Sequence, residues 1–176
     1  LAGRVTEGTS DPVLRARAVL VRLEGPRGLG PDELDAVLSD LPLAALDKEL
    51  RVRLDVNRIW TAMSAADVAR LDQLGKELDV SHANARWDLV ASLGMAYTFV
   101  GRHDRGVALL KRAVALSADL DPELLAGEPL LLWAMIPGWL GKDASDHRTR
   151  MAYMAKRSRA SGRPTLTASA AFFSQC

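Results

Sequence analysis

A glycine-rich loop, three histidines, one cysteine and a cluster of cations are the features of this sequence whose residue types could do chemistry. The loop, Gly25-Pro26-Arg27-Gly28-Leu29-Gly30-Pro31, is the one place where backbone N–H groups could cradle a phosphate. No Lys-Ser or Lys-Thr follows it, no strand pattern precedes it, and prolines interrupt it, so it reads as an interhelical loop. His82, His103 and His147 stand far apart, near predicted helix ends, with no His-x3-His or Cys-x2-Cys spacing. Cys176 has no base beside it, and the carboxylates fall on predicted polar faces. The residue types therefore predict no catalytic, metal-binding or cofactor-binding residue, and no enzyme reaction.

Binding is a different matter. The formal charge of +1 is the balance of an acidic body, net −5 over residues 1–146, and a basic end. That end carries Arg148, Arg150, Lys156, Arg157, Arg159 and Arg163 with no acid. Such a strip could meet an acidic surface or nucleic acid, but no aromatic side chains interleave for base stacking, and cations near a helix C-terminus also favour its dipole. Trp60, Trp87, Trp133 and Trp139 read as core rather than as a ligand cage. Asp88 and Glu128, and likewise Met95 and Met135, recur at 40 residues. An adaptable thioether beside a carboxylate on the concave side of a helical array suits a peptide or a basic partner. Asp88, Met95, Glu128 and Met135 are thus the candidate partner-binding residues.

The elements that position these residues are helical. Stepping by 40 gives Val19, Ile59, Phe99 and Trp139 in one column, Leu20, Trp60, Val100 and Leu140 in a second, and Ala16, Val56, Ala96 and Ile136 in a third. A shorter column holds Leu50, Val90 and Leu130. In the partner helices Leu71, Leu110 and Met151 align, as do Leu74, Ala113 and Met154, and Gly75, Val114 and Ala155. Around Trp87 to Leu120, Leu93-Gly94 with Tyr97, then Gly106 and Leu110, follow the tetratricopeptide pattern, with Val90 in the Trp place and Gly106 in the Ala place. No sustained period-two alternation appears. The expected fold is all-α, a right-handed superhelical array of antiparallel helix pairs with a repeat of about 40 residues.

Local signals set the boundaries. Asp11-Pro12 starts a helix ending near Leu23, and Asp32 to Ser39 forms a short second one. A long helix is expected from Leu43 to about Met63, a capping box at Ser64 to Asp67, and a partner helix through Leu78. His82 to Gly101 and His103 to Asp119 form the next pair. Asp121-Pro122-Glu123 should launch a helix from Leu124 to Leu140 that Pro137 kinks or ends early, followed by Ala144 to Ser161 and a last helix opened by Gly162-Arg163-Pro164. Residues 1–42 form an irregular first pair, and repeats cover about 43–82, 83–122 and 123–162, with 163–176 truncated. Hydrophobic residues at 48% and charged residues at 26% suit a folded protein. The longest apolar run, Pro129 to Leu140, is too short for a membrane span. A lone cysteine points to a reducing, cytoplasmic setting. Both ends read as cut from a larger protein.

With the repeats placed, the chain resembles the helical array of the large ATP-binding LuxR-type transcriptional regulators of bacteria. The residues that carry the likeness are Tyr97 to Asp104, Ala108 to Leu116, Asp121-Pro122-Glu123-Leu124-Leu125 and Arg159 to Arg163, over roughly Leu43 to Cys176. The resemblance implies a non-catalytic sensor and scaffold segment that binds a protein, peptide or small inducer. It also implies a parent chain with an upstream P-loop ATPase domain and a downstream helix-turn-helix, so that ATP and DNA are bound only by other parts. Similar arrays occur in cyclases, kinases and stand-alone peptide-binding adaptors, and self-association is open to all of them.

Overall fold

The computed structural model describes residues 10–23, 28–125, 128–141 and 144–160, and the described residues are helices and turns without a strand. The chain divides into two compact units, residues 1–81 and 82–176.

The first unit holds α1 (Pro12–Leu23), α2 (Pro31–Ser39), a 3-10 turn (Leu43–Ala45), α3 (Lys48–Ser64) and α4 (Val68–Glu77). Asp11 caps α1 by accepting from the N–H of Val13 at 2.8 Å, and Pro12 fills the first helical position, where its missing N–H is no loss. α1, α2 and α4 all pack on α3. The core is built from leucine and small aliphatic faces, among them Ala16, Val19, Leu20, Leu34, Leu50 and Leu54. Each leucine so buried contributes roughly 1.5–3 kcal/mol.

The second unit holds α5 (Trp87–Phe99), α6 (His103–Leu116), a 3-10 turn (Pro122–Leu124), α7 (Glu128–Trp139) and α8 (Ala144–Ala160). α5 pairs with α6 and α7 with α8, while α5 and α6 both touch α7. Every residue of α5 from Asp88 to Tyr97 is buried, so the helix lacks a solvent face over that stretch. Its contact with α6 is close because two glycines meet there. A Cβ on Gly106 would lie 2.2 Å from Thr98 Oγ1 and 2.7 Å from the carbonyl oxygen of Gly94, and one on Gly94 would lie 3.1 Å from the Leu109 and Leu110 side chains. α5 then ends in a Schellman turn: Gly101, at φ +80°, lets Arg102 N–H reach the Tyr97 carbonyl at 2.8 Å. Gly141, at φ +60°, ends α7 at the equivalent place, 40 residues on.

Several boundaries differ from the sequence expectation. The helix expected from Leu43 begins at Lys48, because Leu46 is extended and Asp47 caps α3 by accepting from Leu50 N–H at 2.7 Å. Ser64 opens no capping box. It is the last residue of α3, and Asp67 caps α4 through Arg70 N–H at 2.9 Å. Residues 82–86 are turns rather than the start of α5, with the His82 carbonyl taken by the Arg112 guanidinium. Asp121-Pro122 starts only a 3-10 turn. Arg157 donates to the Pro122 and Glu123 carbonyls at 3.3 and 2.8 Å, using acceptors that a continuing α-helix would need. Pro137 does not end its helix, which runs to Trp139. The Trp133 carbonyl, which loses its usual donor to the proline, accepts instead from Arg150 Nη1 at 3.3 Å. The expected last helix from Gly162 lies outside the described residues.

Candidate functional site

Three of the four candidate partner-binding residues are not accessible. Asp88 and Met95 are each 1% exposed and Met135 is 3% exposed. Nothing of the Glu128 side chain falls among the described residues. The expectation of a solvent-facing set is therefore corrected for three of its members: Asp88, Met95 and Met135 are buried because α5 is covered on all sides from Asp88 to Tyr97 and α7 packs against both α5 and α6. Asp88 is held by its neighbour Arg86, with Nε on Oδ1 at 3.0 Å and Nη2 on Oδ2 at 2.6 Å, and it also accepts from Leu89 N–H at 3.0 Å. A buried carboxylate with a bidentate guanidinium and a backbone donor is a satisfied structural charge. The repeated methionines are core.

The remaining candidates disperse as well. Among the described residues no group of three or more His, Cys, Asp and Glu could hold a metal ion. His82 and His103 are exposed, and His147 stands against Gly138 with Nδ1 3.3 Å from the Ala134 carbonyl oxygen. Of the basic strip, Arg150 and Arg157 turn inward. Arg150 stacks on Trp133, 4.6 Å from the ring centroid, and Arg157 bonds Glu123 at 3.0 Å and Tyr153 Oη at 3.0 Å. Arg148, Lys156 and Arg159 are exposed on α8, whereas Arg163 and Cys176 lie outside the described residues. At the glycine loop, Gly30 N–H is already taken by Glu33 Oε2 at 3.0 Å.

A site does assemble within the first unit. A cavity of about 450 Å³ opens between α2, α3 and α4. Leu38 and Leu54 form its apolar floor and Leu43, 38% exposed, its rim. α3 supplies Arg51, Asp55 and Arg58 from one stripe, α2 supplies Asp35, and α4 supplies Gln73 and Glu77. Arg58 stands at the junction. Its guanidinium donates to Glu77 Oε2 at 2.8 Å and to Asp55 Oδ1 at 3.4 Å, and its Nε is 3.8 Å from Asp35. That Nε is buried without a hydrogen-bond acceptor. Asp35 is shared with Arg70, which also bonds Asp32 at 3.1 Å and the Pro31 carbonyl at 3.1 Å.

The two carboxylates on Arg58 respond in opposite directions. Burial pushes the Asp55 carboxyl above its ordinary range, and the charge and hydrogen bond of Arg58 only partly offset this. Glu77 also feels burial, but the hydrogen bonds from Gln73, at 2.7 Å, and from Arg58 outweigh it and hold its carboxyl below the ordinary range. The lining side chains set charges of both signs around an apolar floor, an arrangement that can hold a charged ligand. Nothing in the residue types marked it, since Asp35, Arg58 and Glu77 are ordinary surface letters in sequence. The one legible signal was the stripe Arg51, Asp55 and Arg58 bordering the apolar face of a predicted helix. No family profile, no curated protein and no solved structure matches this chain.

Proposed function

We propose that the chain is the non-catalytic sensor and scaffold segment of a bacterial LuxR-type, ATP-dependent transcriptional regulator, a tetratricopeptide-like right-handed array that takes up a protein, peptide or small inducer. The observation that supports an array is the burial shared by positions 40 residues apart. Ala16, Val56, Ala96 and Ile136 are all buried, as are Leu50, Val90 and Leu130. In the partner helices Leu71, Leu110 and Met151 are buried, and so are Leu74, Ala113 and Met154, whereas Gly75, Val114 and Ala155 are all half-buried. Equivalent letters with equivalent burial are what one supersecondary unit, repeated and stacked, produces. Phe99 departs from its column: it is 51% exposed, while Val19 and Ile59 are buried. It meets the half-buried Trp139 edge-on, with ring centroids 4.9 Å apart.

With Asp88, Met95 and Met135 buried, the inducer reading moves from the expected concave surface to the charged cavity between α2, α3 and α4. ATP and DNA binding then belong to other parts of the parent protein. The test is the full reading frame together with calorimetry on this chain. A P-loop domain upstream, a helix-turn-helix downstream, and no heat on titrating Mg-ATP into the chain are expected. A frame that lacks both neighbours overturns the regulator reading and leaves a peptide-binding adaptor or the array of a cyclase or kinase. Micromolar Mg-ATP binding abolished by changes in Gly28 and Gly30 overturns the non-catalytic assignment.

A further inference from the structure

We infer that the cavity between α2, α3 and α4 binds a small zwitterion of the amino-acid type: its cationic nitrogen on Asp55, its anionic group on Arg51 and its apolar side chain over Leu38, Leu43 and Leu54. The inference rests on the inducer reading and names the ligand class for that same site.

Volume comes first. About 450 Å³ lies in the lower half of the range of small-molecule cavities, which suits a compact molecule rather than a peptide helix. The charges are then distinguished by what already satisfies them. Glu77 has two short donors, Arg58 at 2.8 Å and Gln73 at 2.7 Å, and Asp35 is ion-paired with Arg70 and Arg58. Asp55 is left with a single long hydrogen bond, 3.4 Å to Arg58, although it is substantially buried. Of the three acids it is the one that lacks a short charged or amide donor, which leaves acceptor capacity for a ligand. Arg51, exposed on the same wall, attracts Asp55 through its charge but makes no ion pair or hydrogen bond among the described residues.

Arg51 and Asp55 are one turn apart on α3, so their Cβ atoms are separated by about 5–6 Å. That span matches a molecule carrying an ammonium and a carboxylate on one carbon. A simple cation would satisfy Asp55 and then be repelled by Arg51, and a simple anion would meet the reverse. A zwitterion satisfies both without adding net charge to a site whose other groups are mutually paired. The leucine floor beneath them adds apolar area for a side chain and nothing for a second charge.

The experiment is isothermal titration calorimetry on the full chain with three probes: L-leucine, leucine amide, which keeps only the positive charge, and 4-methylpentanoate, which keeps only the negative one. Saturable binding of L-leucine is expected, with each single-charge analogue about tenfold weaker or worse, since each forfeits one charge-assisted contact. Asp55→Asn and Arg51→Gln should each weaken L-leucine by a similar factor, with circular dichroism unchanged. Arg51 is exposed, so its variant tests the site even if Asp55→Asn fails to fold. No saturable heat with L-leucine, equal binding of either analogue, or indifference to both substitutions overturns the inference. Failure here with a P-loop and a helix-turn-helix found in the parent frame removes the ligand class and leaves the regulator reading. Binding without those neighbours does the opposite.

Discussion

Asp55 and Glu77 bond the same guanidinium yet respond to folding with opposite signs. An acid whose carboxyl is pushed up in the folded state costs stability wherever it is ionised, and that cost vanishes below its unfolded pKa of about 4. Asp55 is such an acid, through burial. Glu77, held down by Gln73 and Arg58 against the effect of burial, contributes stability that is present above its unfolded pKa and lost as pH falls through its folded one. Thermal melts should therefore show Asp55→Asn as neutral or stabilising at pH 7, with the gain fading toward pH 3. Glu77→Gln should lower the midpoint at pH 7 and become neutral toward pH 3. The same sign for both variants at pH 7 would mean that burial and hydrogen bonding do not separate them as described. A side chain that costs stability at neutral pH and keeps an open acceptor is what a ligand contact, rather than a structural ion pair, looks like.

At the scale of the element, α7 shows how a helix survives its own proline. Pro137 removes the N–H that would bond the Trp133 carbonyl, and Arg150 from α8 supplies a donor at 3.3 Å while its guanidinium lies 4.6 Å from the Trp133 ring centroid. Asp146, one turn back on α8, fixes Arg150 Nε at 3.0 Å. Arg150→Met keeps the stem over the ring but loses the donor, and should cost about 1 kcal/mol. In a Pro137→Ala background the restored N–H bonds the carbonyl from within the helix, so the same change should cost clearly less. A double-mutant cycle followed by denaturant unfolding reads this coupling, and strict additivity would show that the carbonyl does not need Arg150. The same logic explains the short turn at Pro122–Leu124. There Arg157 satisfies carbonyls from outside, and the Asp-Pro signal that begins the 12-residue α1 yields a single 3-10 turn.

Over the whole molecule, each unit carries its own core, and Gly106 controls the tightest packing in the second. The methyl of Gly106→Ala would collide with Thr98 Oγ1 and with the Gly94 backbone, and the backbone cannot rotate away. Overpacking of this kind costs about 1–3 kcal/mol, against which the better helix propensity of alanine returns up to about 1 kcal/mol, so a net loss is expected. Hydrogen exchange should show the loss at the slow amides of Val90 to Tyr97 in α5, with those of Leu50 to Val56 in α3 little changed. Equal loss in both would show that the two units unfold as one.

The sequence by itself determined the all-helical class, most helix ends and the columns through Ala16, Leu50, Leu71 and Leu74, while the columns through Val19 and Leu20 are buried only in part. These depend on short-range physics: period-3.6 placement of apolar residues, Asp and Pro at helix starts, and Gly at left-handed C-termini. The pairing of Leu93-Gly94 with Gly106 was legible for the same reason, since two neighbouring helices can approach that closely only where no Cβ intervenes. Burial of Asp88, Met95 and Met135 was not legible, because a 40-residue spacing states that positions are equivalent without saying which side of the helix is covered. Only the tertiary structure put α7 against both α5 and α6 and so turned an expected surface into core. It also decided the cavity. Asp35, Arg58 and Glu77 are separated by about twenty residues at each step, and α2, α3 and α4 each look amphipathic and ordinary alone. Their charges acquire meaning where the three helices meet, because there the desolvation felt by one carboxylate is offset less completely than that felt by its neighbour.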